Sequence, residues 1–118
     1  MKIVIFNEDL RSEMQMYLAL SNHYEVSIAE DEDDLMQLLD NNSADFTFLD
    51  LDYNNTKDQK NKKRLEIATL IRQKHPMTKV VGICDCKDKG LSKMAAGHGI
   101  QKMVTRPIKN RELLKAIG

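Results

Sequence analysis

Short apolar runs alternate with stretches of helical periodicity along the whole chain. The strand-like runs occupy residues 2–6, 24–28, 45–49, 79–84 and 101–105, and a helical pattern follows each of them. Strand and helix in strict alternation predict an α/β fold, in which a parallel sheet is covered on both faces by right-handed crossovers.

Each predicted helix has apolar residues that recur every three or four positions, and these are expected to face the core. They are Leu10, Met14, Tyr17 and Leu18 in the first helix, Leu35, Leu38 and Leu39 in the second, Leu65, Ile67, Ala68, Leu70 and Ile71 in the third, Leu91, Met94 and Ala95 in the fourth, and Leu113, Leu114 and Ile117 in the fifth. The pattern therefore predicts five helices, each with one buried face.

Two acidic strand ends suggest where the chemistry lies. The third strand closes the run DFTFLD with Asp50, and the first strand runs into Asn7, Glu8 and Asp9. In a doubly wound, flavodoxin-like (βα)5 sheet with strand order 2-1-3-4-5, ligands bind outside the carboxyl ends of strands 1 and 3. If the chain adopts this order, these polar residues converge at that edge, and Asp50 is the candidate reactive residue.

Length and charge narrow the classes of protein. The chain has 118 residues, which indicates a single domain over residues 1–118, and its 18 basic residues balance 18 acidic ones. No nucleic acid or membrane is therefore expected as a partner of this domain. No apolar stretch approaches the roughly 20 residues of a membrane span, and no signal peptide is evident, so a cytoplasmic location is expected. Cys84 and Cys86 are interpreted as reduced thiols rather than metal ligands, since no convergent histidine motif accompanies them.

Four landmarks resemble those of response-regulator receiver domains, and the resemblance covers essentially the whole chain. They are KIVIFNED at residues 2–9, DFTFLD at 45–50, VVGIC at 80–84 and MVTRP at 103–107. The resemblance implies that Asp50 accepts a phosphoryl group from a histidine kinase or a phosphotransfer protein. It also implies a Mg²⁺ ion that neutralises charge on the transferring oxygens.

The set of acidic residues that forms the metal site in the family is incomplete in this chain. Asn7 replaces the first acid of the pair at the end of the first strand, which leaves Glu8 as its remaining anion. Asp52 adds negative charge two residues after Asp50. We therefore expect a weakened Mg²⁺ site with Glu8 and Asp50 as ligands, and with Asn7 and Asp52 as weak contributors.

The residues that respond to phosphorylation in the family are also altered. Cys84 stands in place of a threonine or serine, and its thiol is a weaker donor than a hydroxyl. Arg106 replaces a lysine and either binds phosphate or pairs permanently with Asp50. Met103 occupies the switch position of an aromatic residue, and Pro107 resembles the family's cis proline. The resemblance thus implies impaired or altered switching.

A lysine-rich segment at residues 54–64 replaces the family's short loop after the acceptor strand. Its basic residues are Lys57, Lys60, Lys62, Lys63 and Arg64. Such a loop could dock an acidic partner, although a charged loop is more often simply solvated.

Three functions remain open at this point. One is a receiver that is phosphorylated on Asp50, and another is a phosphorylation-independent pseudo-receiver that acts as a protein-interaction module. The third, a flavodoxin-like metal-dependent enzyme with Glu8, Asp50 and Asp52 as ligands, is disfavoured, and we expect no enzymatic activity. The output would lie in a downstream effector protein or domain, and a homodimer through the fourth and fifth helices is a family-level option.

Overall fold

The strands and helices alternate in the computed structural model as the hydrophobic pattern predicts. The structure describes residues 1–7, 10–51, 59–84, 89–100 and 102–117. The elements are β1 Lys2–Phe6, α1 Leu10–Leu20, β2 Glu25–Ile28, α2 Glu32–Asn42, β3 Phe46–Asp50, α3 Gln59–Lys74, β4 Lys79–Cys84, α4 Lys89–Gly97, β5 Lys102–Thr105 and α5 Asn110–Ile117. The strand predictions are correct to within one residue at each end.

The five strands form one parallel sheet in the order β2-β1-β3-β4-β5, as expected. In the register of β1 and β3, Phe6 lies opposite Leu49, so the next residues along the two strands, Asn7 and Asp50, are neighbours at the carboxyl edge. Asp50 itself pairs with Ile83 of β4. The register therefore places Asp50 between the ends of β1 and β4.

The helices cover both faces of the sheet and create two cores. Helices α2, α3 and α4 pack on one face through residues such as Leu35, Ile71 and Ala95. Helices α1 and α5 pack on the other face through Met16 and Leu113. All five residues of β3 are buried, because this strand lies in the middle of the sheet. Burying each of its large apolar side chains stabilises the fold by roughly 1.5–3 kcal/mol.

The predicted core face of α1 is wrong. Met14, Tyr17 and Leu18 are exposed, and Leu18 is the most exposed of them at 62 %. The face that packs on the sheet instead carries Ser12 and Met16, which are 5 % and 0 % exposed. This face buries Met16 and Leu20 completely, and it also lets Ser12 reach the carboxyl edge of the sheet and accept a hydrogen bond from Asn7 Nδ2 at 3.0 Å.

Smaller corrections apply to the other helices. Met94 of α4 and Leu114 of α5 are about half exposed, although their apolar neighbours Ala95 and Leu113 are buried.

Helix α3 begins at Gln59, so the second half of the expected lysine-rich loop at residues 54–64 is helical. Lysine, arginine and glutamine are good helix formers, which explains why a charged run can continue a helix. Lys57 lies outside the described residues. No helix in the described ranges is both long and apolar enough to cross a membrane.

Candidate functional site

Asp50 is the last residue of β3 and is 2 % exposed. A buried carboxylate needs partners, because removing an ionised group from water is costly without them. Its partner is Arg106, which follows β5 directly and places Nη2 at 2.9 Å from Asp50 Oδ2. The peptide bond between Arg106 and Pro107 is cis, as the resemblance implies. Asp50 and Arg106 therefore form a largely buried ion pair at the carboxyl edge.

The same guanidinium joins two more polar side chains. Arg106 Nη2 donates to Asn7 Oδ1 at 2.5 Å, and Arg106 Nε donates to Ser12 Oγ at 3.1 Å. Because Asn7 Nδ2 also donates to Ser12 Oγ, the three side chains close a ring of hydrogen bonds beside Asp50. Arginine can make these contacts at once because its donors form a rigid planar fork. Asn7 thus contacts the guanidinium that also pairs with Asp50.

Arg64 provides a second buried cation next to Asp50. It lies on α3, is 6 % exposed, and its Nη1 donates to the backbone carbonyl of Asp50 at 2.5 Å. Its guanidinium carbon lies 4.8 Å from the centre of the Phe6 ring, which is a cation–π contact. A basic residue of the lysine-rich segment is therefore part of the site. Its burial excludes the docking role considered for Arg64, and the side chains of Lys60, Lys62 and Lys63 lie outside the described set.

Cys84 ends β4 and is 1 % exposed. Its Sγ lies 3.8 Å from the carbonyl oxygen of Val104 in β5, in a weak hydrogen bond. Its own carbonyl accepts from the backbone N–H of Arg106 at 2.8 Å. The end of β4 thus positions the backbone of Arg106, while the thiol lies against β5. Cys86 is outside the described residues.

Met103 packs inward, against β4, in a space that Gly82 leaves open. An ideal Cβ placed on Gly82 would lie 3.2 Å from Met103 Sδ and 3.0 Å from Leu51 Cδ1, which is closer than ordinary contact. Met103 also borders the core that α2, α3 and α4 share. The absence of a side chain at Gly82 therefore makes room for Met103 between β4 and its neighbours.

The described part of the site does not by itself fit a Mg²⁺ ion. No group of three acidic, histidine or cysteine residues in the described ranges is arranged to hold a metal. Asp50 supplies the one carboxylate among the described residues of the site, and the oxygens of Asp50 and Asn7 both accept from Arg106 Nη2. Mg²⁺ prefers several oxygen ligands that are not bound to a cation. Glu8, Asp9 and Asp52 lie outside the described residues.

The structure thus brings together Asn7, Asp50 and Arg106 from the predicted set, with Cys84 at the end of the adjoining strand. Two further residues of the site, Ser12 and Arg64, were not predicted. Ser12 lies five residues after Asn7, and its role depends on the rotation of α1. Arg64 directly precedes the apolar Leu65, and this boundary was the available sign that the basic run enters the core.

Comparisons with known proteins agree with this architecture. The model of the response regulator receiver domain family matches residues 3–118. A response regulator from Thermotoga maritima superposes with a TM-score of 0.84 at 20 % identity, covering 98 % of this chain and 92 % of the other. A CheY-like receiver domain protein from Methanospirillum hungatei JF-1 gives 0.80 at 19 % identity, covering 98 % and 89 %. No curated protein sequence matches the chain.

A third similar structure shows how widely this fold is used. A putative pilus assembly-related protein from Burkholderia pseudomallei K96243 superposes with a TM-score of 0.81 at 16 % identity, covering 99 % of this chain and 86 % of the other. At such identities the structural likeness shows the fold alone.

The doubly wound sheet with an aspartate at the switch point defines a receiver-type α/β protein. The family match covers nearly the whole chain, and the chain belongs to the response regulator receiver domain family. Receiver domains are signalling domains and are generally not enzymes. They generally bind Mg²⁺ at the phosphorylation site and interact with histidine kinases or phosphotransfer proteins and with effector domains.

Proposed function

We propose that this domain is a signalling receiver in which Asp50 accepts a phosphoryl group, and in which the response to phosphorylation differs from that of other receivers. The observation that carries the proposal is the buried pair of Asp50 and Arg106 at the switch point of the sheet, 2.9 Å apart. A carboxylate beside a fixed guanidinium can attack phosphorus while the guanidinium neutralises the phosphoryl oxygens.

The transfer would proceed from a phosphohistidine of a kinase or phosphotransfer protein. A carboxylate oxygen of Asp50 forms the new O–P bond, the N–P bond of the donor breaks, and the bonding electrons return to the imidazole. Two guanidinium groups, those of Arg106 and Arg64, contact Asp50 through its carboxylate and its carbonyl oxygen. These two positive charges favour the phosphorylated aspartate, which carries two negative charges, over the unmodified carboxylate, which carries one.

Altered switching is supported by the contacts of Cys84 and Met103. The thiol of Cys84 lies against the carbonyl oxygen of Val104, and Met103 is packed over Gly82. A thiol offers a weaker hydrogen bond to a phosphoryl oxygen than a hydroxyl. A methionine also lacks the ring that would swing between the interior and the surface. We propose that phosphorylation, when it occurs, moves β5 less than in receivers with threonine and an aromatic residue here.

A second candidate is a phosphorylation-independent interaction module. It is favoured by the number of contacts that hold Arg106, which binds Asn7, Ser12 and Asp50 simultaneously. A guanidinium held in this way already neutralises Asp50 and fixes the carboxyl edge without a phosphoryl group. In this case the partner would recognise the unmodified domain, and Asp50 would serve only as a structural anion.

The proposed Mg²⁺ site is weak and depends on Glu8 and Asp52 in addition to Asp50. The ion, when bound, would neutralise phosphoryl oxygens. Partners would be a histidine kinase or phosphotransfer protein and an effector protein or domain. A homodimer through α4 and α5 remains part of the proposal.

One experiment separates the two candidates. The protein is incubated with Mg²⁺ and a small phosphodonor, or with beryllofluoride, and intact mass and amide shifts are measured for the wild type and for Asp50→Ala. A mass gain of one phosphoryl group that is absent from Asp50→Ala supports phosphorylation. The absence of both a mass gain and amide shifts at saturating Mg²⁺ would overturn phosphorylation and favour the interaction module. Asn7→Asp then tests whether the missing carboxylate is the cause.

A further inference from the structure

A cavity of about 410 Å³ opens at the amino edge of the sheet, at the opposite ends of the strands from Asp50. It is lined by the first residues of three strands, Phe46, Lys79 and Lys102, and by the ends of the helices that pack beside them. This volume lies within the range of small-molecule sites in proteins. The cavity belongs to no part of the site described above.

Two lysines are held on the wall of this cavity by specific contacts. Lys102 Nζ donates to the carbonyl oxygens of Lys115 and Ala116 at 3.4 and 3.3 Å, and these carbonyls lie in the last turn of α5. Lys79 Nζ lies 5.7 Å from the centre of the Phe46 ring. A helix carboxyl end and an aromatic face both attract cations, and these contacts keep each ammonium group beside the cavity.

Arg72 is the third cation on the cavity wall, and the absence of a side chain at Gly99 leaves room for it. Gly99 has a φ of +91°, and an ideal Cβ on it would lie 2.8 Å from Arg72 Cδ. The side chain of Arg72 therefore runs across the open face of Gly99, on the wall of the same cavity. A residue with a side chain at this position would force Arg72 away, in addition to straining the backbone.

No acidic side chain is among the described residues that line the cavity, so its charged lining is positive throughout. The carboxylate of nearby Asp45 is directed elsewhere, where it accepts a hydrogen bond from the backbone N–H of Lys2 at 2.9 Å. Between the cations the wall is apolar, with Phe46, Val80 and Ile117. A concave wall that carries one sign of charge attracts and concentrates ions of the opposite sign.

We propose that this cavity binds a small organic anion with two or more negative charges on an apolar body. The three cations would contact its carboxylate, sulfonate or phosphate groups, and the apolar wall would contact its body. Lys102 is already held by two carbonyl oxygens, so it loses less side-chain freedom when the anion binds. The proposal does not depend on phosphorylation of Asp50.

The test uses 8-hydroxypyrene-1,3,6-trisulfonate, a fluorescent aromatic trianion, and follows its fluorescence on titration with protein. We expect saturable binding that weakens with added salt and is absent for uncharged 1-hydroxypyrene. Lys79→Gln combined with Lys102→Gln should weaken binding about tenfold or more, as expected from two lost charge contacts of about 0.7 kcal/mol or more each. Amide shifts should appear at Val81 and Ala96, which line the cavity.

The control variant combines Lys93→Gln with Lys109→Gln, which removes the same charge from exposed positions outside the cavity. It should bind the dye as the wild type does. Equal weakening in both double variants would show that the effect comes from net charge alone and would overturn the proposal. Equal binding of the uncharged pyrene would also overturn it. Circular dichroism and thermal unfolding of each variant establish that it is folded, and Arg72→Gln offers an independent third variant.

Discussion

The guanidinium of Arg106 and the carboxylate of Asp50 form an ion pair in which Nη2 lies 2.9 Å from Oδ2, with the two side chains only 12 % and 3 % exposed. Removing one member of a buried pair is more damaging than removing both, because the remaining charge has lost its partner. Arg106 also joins Asp50 to Asn7 at the end of β1 and to Ser12 in α1, so the pair links the central strand to a helix on one face of the sheet.

We expect Arg106→Met to lower the free energy of unfolding by about 3–5 kcal/mol, since it leaves Asp50 without this cation. Urea denaturation at neutral pH measures the change. Arg111→Met, at an exposed position of α5, is the control and should change stability by no more than about 0.5 kcal/mol. The double variant Arg106→Met with Asp50→Asn should be more stable than Arg106→Met alone. Additive losses would show that the two side chains are not energetically coupled.

Cys84→Thr should strengthen the response of the domain to beryllofluoride, if the phosphorylation proposed above is correct. A hydroxyl that donates to a charged acceptor contributes about 1.5–3 kcal/mol, so we expect beryllofluoride to bind roughly tenfold more tightly. Amide shifts should then extend into β5, which pairs with β4 at this position. Cys84→Ala, which has no donor, is the control. An equal gain in Cys84→Ala would assign the effect to size and not to hydrogen bonding.

Gly82→Ala should destabilise the protein by about 1–3 kcal/mol, because the new methyl group meets Leu51 and the inward side chain of Met103. Thermal unfolding measures the loss, and the loss should be smaller when Met103→Ala is also present. Gly97 at the end of α4 is the matched control, because nothing lies within 4 Å of a Cβ placed there. Gly97→Ala should be neutral or stabilise by up to about 1 kcal/mol. Equal effects at both glycines would contradict the packing of Met103.

The sequence predicted the sheet well because the pattern of each strand is local. Strand order was assumed for a doubly wound fold, and the structure confirms it. The convergence of Asn7 and Asp50 followed from that order. The face of α1 could not be predicted in the same way, since Met14, Tyr17 and Leu18 have the spacing of a buried stripe. The buried face instead carries Met16 and Leu20, with Ser12 bound to Asn7, and which of the two stripes packs on the sheet is decided only in the assembled fold.

Arg64 illustrates the same limit at the site. Five basic residues share one segment, and the adjacency of Arg64 to the apolar Leu65 was the one local sign that set it apart. Arg64 is buried against Phe6 and the backbone of Asp50. Burial depends on where α3 begins and how it lies on the sheet, which no local pattern specifies. Arg106 was predicted better, because its position before Pro107 marked it as a replacement for a known lysine.

Glu13 in the first turn of α1 gives the protein a measurable pH dependence. Burial raises the pKa of this carboxyl above its ordinary value of 4.5. An acid whose pKa is higher in the folded state favours folding when protonated, and this contribution is lost as the pH rises through the folded-state pKa. The stability of the wild type relative to Glu13→Gln should therefore increase as the pH is lowered from 7 towards about 4.5. Urea denaturation of both proteins at several pH values measures the difference, and a constant difference would contradict the prediction.

Arg64 is a second buried cation among the described residues, and its substitution tests whether α3 is tied to the acceptor strand. Arg64→Met keeps the apolar stem but removes the hydrogen bond to the carbonyl of Asp50 and the contact with the Phe6 ring. We expect a loss of about 2–4 kcal/mol, with amide shifts at Asp50 and Leu51. Arg64→Lys keeps the charge without the planar fork and should lose less. Lys74→Met, at the exposed end of the same helix, is the control and should leave these amides unchanged. If Arg64→Met matches Lys74→Met in both stability and shifts, the arginine does not couple α3 to Asp50.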